Sequence, residues 1–299
     1  MLEDKVCIVT GAGQGLGEAV ATELGSYGAT VVVNDLGTSM SGEGISEEPA
    51  AETAEKIREN GGEAMAHFGD VSDLEYTESL VADTLEEYGR VDGAVNFAGV
   101  LNDAISYKMT EEEWDRVIRV HLKGHFALLR PLAAHWRDAA GDDGLDPQRS
   151  FIGLSSTSVF GNVGQLNYSA AKAGVLGFTR TAAIELNRFN VRVNALIPTA
   201  YTRTIASMPE ERQPFSEDEF PPEKVAPLVG YLLSDEATDI TGCTLRAAGD
   251  MVGLLSDPEV THLAYREDGW TPEGIAESFR EVTGGEELDR SELDLGIPY

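Results

Sequence analysis

The chain has 299 residues, long enough for one large α/β domain or two small ones with a sizeable core. Its 52 acidic residues against 22 basic ones leave a formal net charge of −30, a field that repels nucleic acid and anionic membrane and argues against both as partners. Only 6 of the basic residues are lysine, and heavy Asp and Glu with scarce Lys suggests adaptation to a high-salt cytoplasm; the plainer alternative is an acidic cytosolic protein. Cys7 and Cys243 lie far apart and give no disulfide framework; Cys7, in an apolar run, reads as a small core residue. The opening MLEDKVCIVTG has no charged-then-apolar signal pattern, and no apolar run approaches a membrane span, so a soluble, reducing, cytoplasmic setting is expected.

Short apolar runs alternate with helical patterns along the chain. Residues 5–10, 30–34, 64–68, 91–96, 150–155 and 191–197 read as buried strands, being short, rich in Val and Ile, and too apolar to alternate. Between them, 15–27, 49–60, 73–88, 111–138 and 167–189 read as helices. This alternation predicts a doubly wound, mostly parallel α/β sheet of the Rossmann type, with ligands beyond the carboxyl ends of the strands. Two connections are long: the Gly/Ser-rich 36–50 and the Pro- and acid-rich 198–224, the expected substrate loop. We divide the chain into a catalytic domain, 1–249, and an acidic extension, 250–299. The extension holds one helix, TPEGIAESFREV, with Thr271 as N-cap and Pro272 in the first turn.

VTGAGQGLGEAV follows the first strand and opens a helix. Gly11, Gly15 and Gly17 stand where the backbone must turn, approach a pyrophosphate and pack a helix on the sheet, with Gln14 and Leu16 between them. The helix N-terminus then offers free N–H groups to phosphates. Asp35 ends the second strand 18 residues beyond Gly17, where a carboxylate would accept from ribose hydroxyls. No Lys or Arg occurs from Val6 to Glu55, so a 2′-phosphate would meet an uncompensated like charge; this favours NAD over NADP. Asp70 and Val71 after the third strand suit an adenine amino group, and Asn96, Ala98 and Gly99 after the fourth suit a close backbone approach to a cofactor. Any of these singly would be an ordinary turn former.

LNYSAAKAG places Tyr168 and Lys172 four apart, on one helix face. A free tyrosine has a pKa near 10, and a neighbouring ammonium favours the phenolate, so the pair suits proton removal from a hydroxyl as hydride leaves the same carbon. Lys172 can also hold ribose hydroxyls. Upstream, LSSTS closes the fifth strand, and a serine there can hydrogen-bond a substrate oxygen. His121 and His125 share a helical spacing that can bind metal, but the HExxH glutamate and a third ligand are missing, so no metal is expected.

Together TGAGQGLG, NFAG, a serine about 13 residues before the tyrosine, and YSAAK resemble the short-chain dehydrogenase/reductase family over roughly residues 4–249. The resemblance implies Tyr168 as acid/base, Lys172 as its partner, Pro198 at the cofactor, and a serine as carbonyl binder. The usual spacing selects Ser155 and the usual Ser-Ser pattern selects Ser156; we take Ser155. The family's PG after the sixth strand is here Pro198–Thr199. His121 replaces an asparagine that holds a water relaying protons from the lysine, and a neutral imidazole could serve the same relay. NDLGTSMSG, VHLKG and GNVGQLNYSAAK further resemble the (3R)-hydroxyacyl-CoA dehydrogenase domain of peroxisomal multifunctional enzyme type 2. That implies NAD-dependent oxidation of a (3R)-3-hydroxyacyl thioester, and a homo-tetramer or homo-dimer with the Tyr168 helix in an interface. CoA phosphates would need basic partners; Arg203, Arg212 and Lys224 are the candidates in a loop that also holds six acidic residues. The alternatives are a steroid, sugar or polyol dehydrogenase, or a non-catalytic NAD-binding sensor.

Overall fold

The computed structural model describes residues 1–140, 148–206, 213–256 and 258–285. Its contacts divide the chain into two units, Met1–Leu255 and a second beginning at Ser256. The first unit is built on one eight-stranded sheet in the order β3-β2-β1-β4-β5-β6-β7-β8. The strands are β1 Val6–Thr10, β2 Thr30–Asp35, β3 Glu63–Phe68, β4 Gly93–Asn96, β5 Arg149–Leu154, β6 Val191–Thr199, β7 Thr244–Ala248 and β8 Met251–Leu254. All pairings are parallel except β7 with β8.

The strands read as continuous apolar runs because the central ones are covered on both faces. Val31 and Val33 of β2 face one core with Leu24, Ala54 and Ile57, while Val32 faces the other with Ile8, Leu80 and Leu132. Helices α1 Gly15–Ser26, α2 Glu48–Glu59 and α8 Ala226–Leu233 cover the first face. Helices α3 Leu74–Tyr88, α5 Gly124–Asp138 and α6 Leu166–Leu186 cover the second. Each fully buried Val, Leu or Ile contributes roughly 1.5–3 kcal/mol, and these layers fix the register that brings the strand ends together. Cys7 is buried in the first core, as expected, and both cysteines are free. Trp136 is buried against the sheet with its Nε1 donating to the Val91 carbonyl at 2.8 Å.

Three departures from the sequence reading matter. First, 111–138 is not one helix: α4 Glu111–Ile118 and α5 are separated by a π-helical turn, Arg119–Lys123, that carries His121. Such turns insert an extra residue and are frequent at functional sites. Second, the sequence pattern predicts neither β7 nor α8, both short and without a decisive period. Third, Met251–Leu254, read as the start of the tail, forms β8, hairpinned to β7 through Gly249 at φ +55°. Its side chains are exposed although Met251, Val252 and Leu254 are apolar, and four residues are too few to show a strand period. Within 198–224, β6 runs on through Pro198 to Thr199, and a one-turn helix α7 follows at Arg203–Ala206. In the second unit, α9 Pro272–Val282 begins as expected, the Thr271 hydroxyl accepting from Gly274 N at 3.1 Å. No described helix is long and apolar enough to cross a membrane.

Candidate active site

The carboxyl ends of β1 to β6 share one edge of the sheet, and the strand order reverses between β1 and β4, opening a crevice there. The glycine loop enters it from β1. Gly11 has φ +66°, and a Cβ on it would lie 2.4 Å from Ala98 N, so only glycine lets the loops after β1 and β4 cross. A Cβ on Gly17 would lie 2.0 Å from the Gly11 carbonyl, so α1 can start this close to the strand only without one. Gly15, at φ +59°, faces open space. Gln14 is extended and no side chain caps α1, so the first-turn N–H groups are left for an anion; Leu16 packs back against the core.

Asp35 braces this loop. Its Oδ2 accepts from Gly13 N at 2.8 Å and its Oδ1 from Gly37 N at 2.7 Å. Asp70 accepts from both the backbone and the hydroxyl of Ser72, and Val71 packs beneath Gly124. Asn96 is fully buried and binds protein, not crevice: its Oδ1 accepts from the Thr10 hydroxyl at 2.7 Å and from Ala98 N at 3.1 Å. It therefore shapes the wall through the backbone of Ala98 and Gly99. A Cβ on Gly99 would lie 2.5 Å from His121 Cε1, so this glycine gives the histidine its place.

The serines lie after β5, and Tyr168 and Lys172 lie on α6. The Tyr168 ring meets the His121 ring edge-on at 4.9 Å between centroids. Lys172 is 1% exposed; its Nζ donates to the Leu154 carbonyl at 2.7 Å and sits 5.4 Å from the Tyr168 ring centroid. Burial lowers the Lys172 pKa to about 7. Burial also raises that of Tyr168, a hydrogen bond from Ser156 opposing the rise. The simple picture of an ammonium lowering the phenol's pKa is thus modified: in the free protein, burial draws both groups toward their neutral forms.

The two serines separate cleanly. Ser155 is 1% exposed and its hydroxyl donates to the Lys172 carbonyl at 3.0 Å, away from the phenol. Ser156 is half-buried, bonds Tyr168, and accepts from Ser158 N to start a short 3-10 turn. The structure therefore brings Ser156, and not Ser155, to Tyr168. Spacing could not decide this, because adjacent residues leaving a strand point to opposite sides.

The histidines also separate. His125 Nε2 accepts from Leu154 N at 2.9 Å, so its proton is on Nδ1, which donates to the His121 carbonyl. Burial, then Lys172, lower its pKa to about 3. His121 Nε2 lies 2.8 Å from Val100 O and 3.1 Å from Val100 N, a pairing that serves either neutral tautomer. Its Nδ1 is buried without a protein partner. Burial, followed by Lys172, holds its pKa well below the usual histidine range. The ring is thus a neutral anchor, and Val100 blocks passage of a proton through Nε2. The carbonyl of Leu154 and the peptide of Val100 complete the site, and as backbone groups neither left a sequence signal.

Pro198 is half-buried in β6, paired with Ala247. Beyond it, Tyr201 N donates to the Phe220 carbonyl, and the Phe215 and Phe220 rings pack at 4.5 Å. Lys224 is tied to Asp250 at 2.8 Å; Arg212 and the side chain of Arg203 lie outside what the structure describes.

Comparison with known proteins agrees with this geometry. A family model described as short chain dehydrogenase matches residues 5–214. The chain is 36% identical to a hydroxyacyl-CoA dehydrogenase of Mycobacterium tuberculosis, covering 97% of this chain and 92% of that one. It is 36% identical to the peroxisomal hydratase-dehydrogenase-epimerase of Neurospora crassa over 94% of this chain, which is 30% of that longer protein. A crystal structure of a short chain dehydrogenase from Mycobacterium avium superposes with a TM-score of 0.83 at 36% identity, covering 96% of both chains.

Proposed function

The chain belongs to the short-chain dehydrogenase family, and from that premise we propose that it is an NAD-dependent oxidoreductase interconverting a (3R)-3-hydroxyacyl thioester and its 3-oxoacyl form. The observation that carries the reading is the Ser156–Tyr168–Lys172 cluster at the strand ends, linked through His121 to the loop after β4 that the glycine loop crosses. The substrate class is supported by the names of relatives similar along nearly the whole chain.

The residues present fit a dinucleotide. Gly11 and Gly17 admit no side chain, α1 opens without a side-chain cap, and Asp35 stands at the end of β2. Gly11, Gly15, Gly17 and the first turn of α1 would hold the pyrophosphate, Asp35 the adenosine ribose, Asp70 and Val71 the adenine. The acidic Asp35, with no basic residue between Val6 and Glu55, favours NAD. When bound, the nicotinamide cofactor supplies the hydride acceptor. Ser156 holds the substrate oxygen, and Tyr168 Oη takes the hydroxyl proton. Lys172, at the edge of deprotonation, becomes the ammonium when the phenolate forms beside it. His121 Nδ1 holds a water from which the proton leaves, the imidazole itself staying neutral. Lys224 is paired with the exposed Asp250, so a CoA phosphate would compete with that carboxylate for it. A homo-dimer or homo-tetramer through α5 and α6 is part of the same proposal; Phe126 and Ile184 offer exposed apolar surface there.

The test is NADH formation in concentrated KCl with (3R)-3-hydroxybutyryl-CoA, its (3S) isomer and a panel of plain secondary alcohols. Turnover of the (3R) thioester alone, abolished in Tyr168→Phe with coenzyme binding retained, is expected. Turnover of alcohols alone would discard the thioester, and near-normal turnover by Tyr168→Phe would discard the tyrosine.

A further inference from the structure

The Gly/Ser-rich segment between β2 and α2 is a braced strap. Its base closes where Gly37, at φ +67°, packs on Ser46, whose N–H bonds the Leu36 carbonyl at 3.2 Å. Its tip is a tight turn in which Ser39 N donates to Glu43 O at 2.8 Å and Gly42 N to Ser39 O at 2.9 Å. That tip lands on the other side of the crevice. Leu101 N donates to Met40 O at 3.0 Å, Arg116 of α4 donates to Ser41 O at 3.0 Å, and Gly42 lies against Val100.

Both ends of the strap touch machinery already described. At its base, one carboxylate, Asp35, grips the strap through Gly37 and the glycine loop through Gly13. At its tip, Val100 is the residue whose N–H or C=O, according to the tautomer, bonds Nε2 of His121, which packs on Tyr168. Contacts at the tip include a backbone hydrogen bond, the Val100 side chain against Gly42, and the guanidinium of Arg116. Val100 itself bonds His121 through its backbone, so Arg116 is the contact that can be removed without touching the histidine's own partner. Arg116 is pre-oriented by Glu112 one turn earlier, at 3.1 Å. Its fork reaches Glu112 with one nitrogen and Ser41 with the other, which a lysine ammonium reproduces only in part.

We propose that Arg116 is a positioning residue that couples the adenosine end of the crevice to its proton-transfer end, by pinning the 36–47 strap on the Val100–Leu101 backbone that orients His121. The proposal rests on the reading of Tyr168 and His121 given above. It requires that Arg116 act on two measurable things at once: coenzyme affinity, through Asp35 and the glycine loop, and His121, through Val100. A merely local brace would move one or neither.

The experiment compares wild type, Arg116→Ala, Arg116→Lys and, as a control for losing one cation, Arg58→Ala at the exposed end of α2. Binary NADH affinity is read by fluorescence, turnover at saturating coenzyme gives kcat, and the imidazole ¹⁵N resonances of His121 are followed in coenzyme-free protein. With five histidines in the chain, His121 is assigned by difference with His121→Asn. Arg116→Ala should weaken NADH binding and lower kcat, each by roughly three- to thirtyfold, and shift the His121 resonances. Arg116→Lys should recover part of all three, and Arg58→Ala should match wild type. Weakened NADH binding with unmoved His121 resonances would overturn the coupling and leave only a local clasp; no change in either would overturn it outright. If Tyr168→Phe proves active while Arg116→Ala still moves both NADH affinity and His121, the coupling stands and the catalytic reading fails.

Discussion

Removing each serine hydroxyl in turn separates two residues that sequence alone left in competition. Ser156 bonds Tyr168 and faces the site, whereas the Ser155 hydroxyl is held by the Lys172 carbonyl inside α6. In Ser156→Ala, a donor aimed at a developing oxyanion is lost, which costs about 100- to 1,000-fold in kcat. The same change removes the cap on the 3-10 turn, a bond of 3.2 Å to Ser158 N, costing about 1 kcal/mol of stability. In Ser155→Ala, one neutral hydrogen bond is lost and nothing that touches substrate, so the cost is about 1 kcal/mol of stability, roughly 2–4 °C in Tm for a domain of this size. The assay is steady-state NADH formation with the preferred substrate, alongside thermal unfolding of both variants. Ser155→Ala should retain turnover within about threefold while Ser156→Ala falls by two orders or more. The reverse ranking, with both variants folded, would refute the argument and return the role to Ser155.

Three further outcomes follow from the same geometry. Lys172 titrates near 7 when folded and near 10.5 when unfolded, so its burial penalty is complete below pH 7 and fades as pH rises toward 10.5. The stability advantage of Lys172→Met over wild type should therefore shrink by about 2 kcal/mol between pH 7 and pH 9 in denaturant titrations, and a pH-independent difference would contradict the buried amine. Asp35→Ala should narrow the gap between NAD and NADP affinities and also weaken both, because Gly13 and Gly37 lose their common acceptor; an unchanged ratio of dissociation constants would move selectivity elsewhere. With a net charge of −30, the Tm should climb as KCl is raised from low to molar concentration, whereas a flat profile would remove the case for salt adaptation.

The fold class and most strand and helix positions were legible because each answers to local rules. Doubly buried strands must be apolar throughout, and the glycines after β1 occupy places where a Cβ would strike Ala98 or the Gly11 carbonyl. The i, i+4 spacing of Tyr168 and Lys172 likewise survives any packing of α6, so the pair could be read directly. What the sequence could not determine depends on groups far apart in the chain. Which of two adjacent serines meets the phenol was decided by how β5 leaves the sheet beside α6. The place and partners of His121 were decided by a π-turn that no periodicity signals and by the backbone of Val100. The protonation of Lys172 depends on its burial under Leu154, and the path from Asp35 to His121 exists only because the 36–47 strap crosses the crevice to Arg116. Local pattern fixes what each segment is, because that depends on the backbone's own geometry. Which surfaces it meets, and so which protons it holds, is set by packing between segments that the sequence keeps apart.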